Sequence, residues 1–406
     1  MASGLAMNKT KSCLYANGVG EQELKRILAV TGMSHGQLPF RYLGVPISAK
    51  KLSVVDCSIL VNKIVDLIRA LGSRHLSYGG RLVLVWSVFS TLHSSWSRIF
   101  IIPKSIIKQI DDVCWNFLWK GIYLYSSPPL VAWDQVCKEK KCGGLSIVSA
   151  YEWNIESVAK YVWWLANKKD HLWVRWVNDV YLKGKSWRSL TVGPNMSWSW
   201  KRICQVKEKM ESGYVGDWWV ALGGEYSVQK GYSWLRPGDG DPVSWRHFVW
   251  NRLALPKQSF MSWIIVQNRL LTKCRMVHMG AVIDLNCAIC GNDIEDQQHL
   301  FFRCEFSSRC ITLLAQKLGI LFPFSSARDW WMTYRFGSLF QKKFVRAAIV
   351  ALSYYIWRAR NYSFHEGVLW RPKMVVKKAI CDVITRCTCK VSSCIVSRCK
   401  TWLESL

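Results

Sequence analysis

Three cysteines and one histidine lie close together in the sequence, with a spacing that restricts how the chain around them can fold. Cys287 and Cys290 are two residues apart, and His299 and Cys304 complete the pattern Cys-x2-Cys-x8-His-x4-Cys. A Cys-x-x-Cys turn points two sulfur atoms at one position, and zinc is held by four such sulfur or imidazole ligands in a tetrahedron. Gly291 permits the tight turn. The spacing therefore predicts one structural zinc ion (Zn2+), with no ligand position left for water or substrate.

The same pattern has a second interpretation, because the chain contains 16 cysteines. The thiols could be ordinary small core residues that bind no metal. Cys274, His278 and Cys310 are possible substitutes for one of the ligands. A further run, "CDVITRCTCKVSSCIVSRC" at residues 381–399, has no Cys-x-x-Cys turn and no histidine nearby. There we expect a mobile basic end with reduced thiols.

Apolar residues recur at intervals of three and four along much of the chain, which is the period of an amphipathic helix. This pattern predicts helices from Val54 to Leu71, from about Arg81, and from Pro103 to Trp119. Gly79 and Gly80 are interpreted as a break before the second of these helices. The residues before Val54 are interpreted as loop and short strand. The fold class is therefore mainly α, with a short extended N-terminal element.

Composition and pattern divide the chain into five predicted parts. Residues 1–52 form the extended N-terminal element, and 53–182 form a helical bundle with Trp-rich helices. Residues 183–244 form a Trp-rich connector with one helix near residues 201–210, because Gly, Ser and Pro interrupt it repeatedly. Residues 245–319 form a second, small helical domain with the cysteine and histidine pattern. Residues 320–406 form a C-terminal helical region and basic tail.

The chain carries a formal net charge of +28, with 55 Lys and Arg against 27 Asp and Glu. Like charges on a compact body repel one another, and a polyanionic partner relieves that repulsion. Nucleic acid is the commonest such partner, and an anionic membrane surface is the second. Because the basic residues are spread along the chain, they predict a broad surface and not a detachable arm.

The sequence also predicts where the protein resides. The N-terminal residues contain no apolar run that is typical of a signal peptide. The longest apolar stretches, "FMSWIIV" and "RAAIVALSYYIW", are shorter than the about 18 residues that a membrane span needs. We expect an intracellular protein, in the nucleus or cytoplasm and not secreted, with reduced cysteines and no membrane partner.

Eight stretches of the sequence resemble a known family, in the order that the family has them. The first five are "LPFRYLGVPIS", "HLSYGGRLVLVWSVF", "FIIPKSII", "FLWKG" and "CGGLSIVSAYEWN". They resemble the end of the polymerase region of plant LINE-type (non-LTR) retrotransposon reverse transcriptases. The other three, "YSVQKGYSWL", "VSWRHFVWNRLALPKQSFMSWIIVQNRLLTKCRM" and "CAIC...QHLFFRC", resemble the zinc-binding domain downstream in the same polyproteins. The resemblance covers most of the chain.

The resemblance implies a place for each part. Residues 41–44 would lie at the primer grip beside the palm, the following helices would form the thumb, and residues 245–319 would be the zinc-binding domain. Asn8, Lys11 and Ser12 would belong to the last palm element. Together with the charge, the resemblance implies RNA and/or DNA as the partner, bound in a salt-dependent and largely non-sequence-specific way. The candidate nucleic-acid-binding residues are Arg41, Tyr42, Gly44, Lys50, Lys51, Arg74, Arg81 and Lys104.

No catalytic residue is predicted. Reverse transcriptases hold two metal ions with palm carboxylates, usually on an aromatic-x-Asp-Asp hairpin. The Asp111–Asp112 pair lies in a predicted amphipathic helix, where neighbouring side chains point in different directions. After Gly367, Asp382 and Glu404 are too few acids for a ribonuclease H site. No phosphate-cradling loop and no Ser-His-Asp pattern is recognisable.

The favoured function is thus a non-catalytic fragment of a non-LTR retrotransposon reverse transcriptase that binds zinc and nucleic acid. One alternative is a protein-interaction scaffold, in which exposed tryptophans around Trp198, Trp200, Trp218 and Trp219 dock a partner. Another is a polymerase completed by a palm from a second chain. A last alternative is a decayed retrotransposon product with no selected function.

Overall fold

The structure is a computed structural model of the 406-residue chain. It describes residues 8, 12–16, 18–42, 45–47, 53–70, 76–90, 96–121, 130–194, 196–215, 218–219, 225–236, 240–320 and 338–392. In these ranges the fold is mainly α-helical, which confirms the predicted fold class.

Most described residues belong to helices, and the strands are short. In chain order the helices are α1 (Glu21–Thr31), α2 (Val54–Ala70), α3 (Tyr78–Leu84), α4 (Lys104–Lys120), α5 (Trp133–Cys137), α6 (Ala150–Ala166), α7 (Leu172–Val177), α8 (Trp198–Lys209), α9 (Val228–Leu235), α10 (Arg246–Val249), α11 (Pro256–Val266), α12 (Lys273–His278), α13 (Glu305–Leu318), α14 (Leu339–Glu366) and α15 (Pro372–Lys390). The strands are β1 (Cys13–Leu14), β2 (Ser34–His35), β3 (Phe40–Tyr42), β4 (Val45–Ile47), β5 (Tyr214–Val215) and β6 (Trp218–Trp219). They pair as parallel β1–β2, antiparallel β3–β4 and antiparallel β5–β6.

The chain divides into two compact units, each built from separate stretches of sequence. The first unit comprises residues 1–66, 91–110 and 150–235, and the second comprises residues 67–90, 111–149 and 236–406. The boundaries of the predicted five-part division stay predictions. In the described part of the chain no helix is long and apolar enough to cross a membrane.

The core of the first unit lies between α6 and α8, with α9 packed on α6. Val158 and Val162 of α6 are buried against Trp200 and Cys204 of α8 in one apolar cluster. The helical spacing of these residues places them on one face of each helix, so burying that face stabilises both helices. Many of the tryptophans that the sequence displays in this region therefore pack inside the unit.

A buried carboxyl group joins α6 to α9 within the first unit. Glu156 of α6 is fully buried, and its Oε2 accepts a 2.8 Å hydrogen bond from the Tyr226 hydroxyl. Its Oε1 has no hydrogen-bond partner among the described residues. A Cβ added at Gly231 would lie 1.9 Å from Oε2, so only glycine lets α9 approach this closely. Burial raises the pKa of Glu156 to about 7, and the Tyr226 hydrogen bond opposes this rise only partly.

We expect the stability of the first unit to fall as the pH rises from about 4.5 to above 7. The folded pKa of Glu156, about 7, is above the ordinary value of 4.5, so in this range the folded state keeps a proton that the unfolded state has released. Relative to high pH, the protonated Glu156 side chain adds on the order of 3 kcal/mol to the free energy of unfolding. This stabilisation is fully present below pH 4.5 and is lost as the pH rises through 7. Urea unfolding at a series of pH values, followed by hydrogen exchange in residues 150–210, measures it.

Glu156→Gln should flatten this pH dependence, because an amide does not titrate. Glu208→Gln, at an exposed position of α8, is the matched control and should leave the dependence unchanged. An identical pH profile for the wild type and Glu156→Gln would contradict the assignment.

The core of the second unit is aromatic. Trp119 at the end of α4 packs against Phe260 and Trp263 of α11, with ring centroids 5.9 and 6.4 Å apart. The Trp263 indole donates a 2.8 Å hydrogen bond to the carbonyl of Gly143, which satisfies its buried N–H. A Cβ added at the next residue, Gly144, would lie 2.0 Å from the carbonyl oxygen of Lys138, which explains the second glycine of "CGGLS".

The two C-terminal helices belong to this unit, and α15 packs on both α13 and α14. Ser338 and Gln341 form a capping box at the start of α14, and Gly367 ends the helix with a left-handed backbone (φ +66°). The expectation of a mobile basic end for residues 381–399 is wrong for residues 381–390, which belong to α15. Cys387 is buried, and burial raises its pKa to about 11, as expected for a core thiol. Cys381 and Cys389 are exposed on the same helix, and the last two thiols of the run, Cys394 and Cys399, lie outside the described residues.

Three local interpretations of the sequence are corrected. Gly79 and Gly80 lie inside the first turn of α3, where Ser77 accepts the N-terminal hydrogen bond. A Cβ at Gly79 would lie 3.1 Å from the backbone of Lys257, so this glycine permits close packing and not a break. Helix α1 replaces the predicted loop, and none of its residues is buried. Helix α9 lies in the predicted connector. It was not predicted, because Gly231 within it is a residue that usually interrupts helices.

Candidate metal centre

The four predicted ligands lie together in the second unit. The sulfur atoms of Cys287, Cys290 and Cys304 and a ring nitrogen of His299 all lie within 4.8 Å of one another. Zinc forms bonds of about 2.0–2.3 Å, so the ligand atoms of a tetrahedral site lie about 4 Å or less from one another. The four ligand atoms here would therefore need to move only slightly closer together to bind the ion. Among the described residues, this is the one such cluster of cysteine, histidine and carboxylate ligands. The donor set and the spacing fit one zinc ion.

Short-range backbone hydrogen bonds shape the turn that carries Cys287 and Cys290. The amide of Gly291 donates to the Cys287 carbonyl at 2.9 Å, and the Cys287 amide donates to the Asp293 carbonyl at 2.7 Å. Gly291 has a φ of +74°, which a residue with a side chain adopts only at a cost. The loop after the turn thus returns beside it, and a bridge between Asn286 and Ile294 closes it.

The other two ligands come from the helical segment that follows. Residues His299–Arg303 form a π-helical turn, and the Cys304 amide donates to the His299 carbonyl at 2.8 Å. Cys304 then precedes the first residue of α13. A π-helical turn has more residues than an α-helical turn. It therefore lets the His299 ring and the Cys304 sulfur, which are five residues apart, point toward the same cluster.

The cluster is closed to solvent, which is typical of a structural site. Cys287, His299 and Cys304 are 2%, 4% and 0% exposed, and Cys290 is half-buried. A catalytic zinc site keeps one position open for water or substrate. Since four protein side chains converge here and three of them are buried, a zinc ion at this centre would stabilise the fold.

The electrostatics of the cluster favour a cation. A hydrogen bond from the Cys304 thiol and two more from the amides of Cys290 and Ile289 lower the pKa of Cys287 to about 5. The same contact with Cys287 raises the pKa of Cys304 well above its ordinary range, because a second thiolate would lie beside the first. The Cys287 sulfur thus ionises readily to a thiolate. A bound divalent cation would offset the repulsion between two thiolates, so it would also lower the free-energy cost of ionising Cys304.

His299 is oriented so that its Nε2 joins the sulfurs. This nitrogen lies 3.3 Å from the Cys290 sulfur, while Nδ1 on the opposite side of the ring lies 3.4 Å from the Asp293 carboxylate. The Nδ1 contact is longer than a good hydrogen bond. Metal-binding histidines commonly direct their second nitrogen at a carboxylate, which holds the ring in place. Asp293 therefore fits the role of a positioning residue.

A buried ion pair behind the ligand turn is a feature that the sequence analysis missed. Glu295 is fully buried, and its Oε1 accepts hydrogen bonds of 2.9 and 2.6 Å from Arg360 of α14. Its Oε2 accepts a 3.0 Å bond from the amide of Ala288, which lies between the first two cysteines. The Ser363 hydroxyl donates to the Ala288 carbonyl. Helix α14 therefore holds the backbone of the ligand turn directly through Ser363 and indirectly through the Arg360–Glu295 pair.

The proposed substitute ligands do not take part in the cluster. Cys274 and His278 lie on α12, and neither belongs to the four-residue group. Cys310 is fully buried on α13, and burial raises its pKa to about 12. It is a core thiol, whereas the thiols of the cluster converge on one point.

The predicted nucleic-acid-binding residues are described only in part. Gly44, Lys50, Lys51 and Arg74 lie outside the described residues. Arg41 and Tyr42 lie on β3, with the Tyr42 ring exposed, and Lys104 is the exposed first residue of α4. Arg81 on α3 makes internal contacts in the second unit. It donates to the Trp119 carbonyl at 3.4 Å, and its guanidinium lies 5.3 Å from the Tyr78 ring centroid.

The tryptophans proposed for docking a partner are not all available for that role. Trp200 is 2% exposed and stacks on Tyr181 with ring centroids 4.4 Å apart, so its predicted exposure is wrong. Trp198 is half-buried. Trp218 and Trp219 form strand β6.

The carboxylates that were weighed as catalytic residues have structural settings. Asp111 and Asp112 lie within α4, as predicted, and not on a hairpin. Asp382 of α15 accepts 2.8 Å hydrogen bonds from Gln258 and from the Tyr355 hydroxyl, so it ties α15 to α11 and α14.

Comparison with known proteins gives two results. Residues 226–310 match a family described as zinc-binding in reverse transcriptase. A curated protein of Arabidopsis thaliana, named as a ribonuclease H protein, is 26% identical over 201 residues, which is 49% of this chain and 30% of the relative. The chain thus covers less than a third of that relative's length. Both results support a retrotransposon-derived protein, and the Cys3His cluster within the matched region fits one structural zinc ion.

Proposed function

We propose that this chain is a non-catalytic part of a non-LTR retrotransposon reverse transcriptase, which binds RNA or DNA through a basic surface. The observation that carries the proposal is the buried Cys3His cluster inside the region that matches a zinc-binding family of reverse transcriptases. The zinc ion holds the ligand turn and α13 together, and it takes no part in a reaction. The palm and thumb placement of residues 1–182 belongs to the same proposal.

Charge supports nucleic acid as the partner. The net charge of +28 is spread over the chain, and exposed cations such as Lys120, Lys230 and Lys377 lie far apart in the sequence. Lys and Arg bind phosphates with little regard to base sequence. The ribonuclease H name of the Arabidopsis relative is that of an enzyme that acts on nucleic acid. An intracellular location, in the nucleus or cytoplasm, fits this partner and the free thiols of the 14 described cysteines.

The non-catalytic part of the proposal is supported by the settings of the carboxylates. A two-metal polymerase site needs acidic side chains close together on a rigid turn. Asp111 and Asp112 are successive residues of one helix, so their side chains diverge. Asp382 is engaged by two hydrogen-bond donors.

We expect the affinity for a 30-nucleotide RNA or DNA strand to fall steeply with salt. If about six phosphates are contacted, the association constant should drop on the order of 300-fold between 50 and 200 mM salt, because each contact releases a counterion. Fluorescence anisotropy with labelled strands measures this slope. Two strands of equal length and different sequence should differ by less than about threefold.

Two outcomes would contradict the proposal separately. An affinity that does not change with salt would exclude binding through phosphate contacts. Primer extension with the chain alone should give no product, and DNA synthesis would disprove the non-catalytic role while leaving binding intact.

A further inference from the structure

A cavity of about 400 Å³ lies within the first unit, between the start of α4, α6 and α8. The side chain of Asn154 on α6 fixes its geometry, because Oδ1 accepts from the Ile102 amide and Nδ2 donates to the Phe100 carbonyl, both at 2.8 Å. These bonds hold the segment before α4 against α6. The wall of the cavity is therefore a built part of the fold, with Ile155 of α6 on its apolar side.

Three cations line the cavity, and no acidic residue does. They are Lys104 at the start of α4 and Arg202 and Lys209 on α8. In the described part of the chain, none of the three forms an ion pair, although several other Lys and Arg residues do. The amines of Lys104 and Lys209 lie 5.5 and 5.0 Å from the centroid of one ring, that of Tyr151. Positive charges that line one cavity repel one another, and an anion in the cavity would relieve the repulsion.

Two aromatic side chains stand beside these cations. The Tyr151 hydroxyl accepts a 2.8 Å hydrogen bond from Lys209, which holds the ring in the cavity wall. Trp198 of α8 is half-buried, and the Arg202 guanidinium lies 5.6 Å from its ring centroid. Arg202 also donates to Gln205 at 2.6 Å, which fixes its position. Aromatic rings with adjacent cations are the combination that binds a base by stacking and its phosphate by charge.

We propose that this cavity binds one nucleotide of a single-stranded nucleic acid, with its base beside Trp198 and Tyr151 and its flanking phosphates on Lys104, Arg202 and Lys209. The size supports this assignment, because ligand pockets for small molecules begin at about 300 Å³. A duplex keeps its bases stacked and paired, so it cannot place one in a concave site, whereas a single strand can. This inference rests on the proposed function and names one site of it.

The test compares two variants with the same loss of charge. The cavity variant carries Lys104→Ala, Arg202→Ala and Lys209→Ala. The control variant carries Lys63→Ala, Lys108→Ala and Lys185→Ala, which are exposed cations of the first unit that do not line the cavity. Binding of a labelled eight-nucleotide single strand and of the same sequence as a duplex is measured by anisotropy on the full chain between 50 and 200 mM salt.

The cavity variant should bind the single strand about 30-fold more weakly than wild type at 100 mM salt, and the control variant no more than about threefold more weakly. Loss of two phosphate contacts should also reduce the salt slope by about 1.4 in the cavity variant alone. Trp198→Ala should weaken binding about tenfold with an unchanged slope, because stacking releases no counterion. Circular dichroism checks that each variant is folded.

Photo-crosslinking on the wild-type chain gives a readout that needs no variant. A strand with 4-thiouridine should attach to Tyr151 or Trp198, as identified by mass spectrometry. Equal losses in the two triple variants, or crosslinks elsewhere only, would overturn the cavity site and leave the proposed function in place. Equal weakening of the strand and the duplex would overturn the nucleotide assignment. A wild type that binds no strand at all would instead contradict the proposed function.

Discussion

Replacing Cys287 by serine is expected to abolish zinc binding and unfold the segment around the cluster. Zinc content should fall from about one ion per chain to below about 0.1, because a neutral serine hydroxyl does not replace a thiolate ligand. Structural zinc contributes about 10–16 kcal/mol of apparent binding free energy in small zinc domains, and that energy is also folding energy. Residues 272–318 should therefore lose hydrogen-exchange protection. Elemental analysis and exchange mass spectrometry measure the two effects.

Cys310→Ser is the matched control for this change. Cys310 is as deeply buried as the ligands and lies on the adjoining helix α13, but it is not part of the cluster. Its replacement should cost no more than about 1–3 kcal/mol for a polar group in the core and leave one zinc bound. Retention of zinc by Cys287→Ser, or equal effects of the two changes, would show that the four residues are core thiols and not ligands.

Arg360→Met is expected to destabilise the second unit by about 3–5 kcal/mol, because it leaves the buried Glu295 carboxylate without its countercharge. Glu295 would retain only the amide donors of Lys273 and Ala288. The Oε2 bond to Ala288 also positions the ligand turn, so zinc affinity should fall about 10–100-fold. Urea unfolding of the zinc-bound protein and competition with a chelator measure the two quantities.

Two further variants distinguish the effect of the buried Arg360–Glu295 pair on stability from the effect of an exposed ion pair. Arg309→Met removes a similar contact of 2.5 Å to Glu305, but both of those side chains are largely exposed, so the expected cost is below about 1 kcal/mol. Adding Glu295→Gln to Arg360→Met should restore part of the stability, since no unpaired charge remains buried. A double variant that is less stable than either single variant would contradict this account.

The ion pair also shows that the folded unit extends beyond the matched family region. The match ends at residue 310, whereas Arg360 of α14 binds Glu295 and Ser363 of α14 contacts the Ala288 carbonyl of the ligand turn. Helix α15 then covers α13 and α14. A fragment that ends at residue 319 would lack the Arg360 countercharge of Glu295, so we expect the zinc-binding region and the C-terminal helices to unfold together.

Part of this architecture could be predicted from local patterns. The Cys-x2-Cys-x8-His-x4-Cys spacing predicted a cluster whose ligand atoms lie within 4.8 Å of one another in the fold, because ligands close in sequence need only one turn and one helix to meet. The long amphipathic helices were also predictable. The inner face of α4, including Ile106, Ile110 and Phe117, is buried as its three-and-four spacing requires. Glycine misled the prediction at two places, at Gly79 and at Gly231, where its small size serves close packing inside a helix.

The amino-acid sequence by itself determined the mainly helical fold, the zinc ligand set and the sign of the surface charge, because each depends on residue type and short-range spacing. Only the tertiary structure decided that Glu295 meets Arg360 and that Lys104, Arg202 and Lys209 gather around one cavity. Those residues are separated by 65 positions in the first case and by about 100 in the second. Contacts between residues so far apart in the sequence depend on how helices pack against one another. The periodic pattern of a helix shows which face is buried, but it does not show which residues of another helix that face will contact.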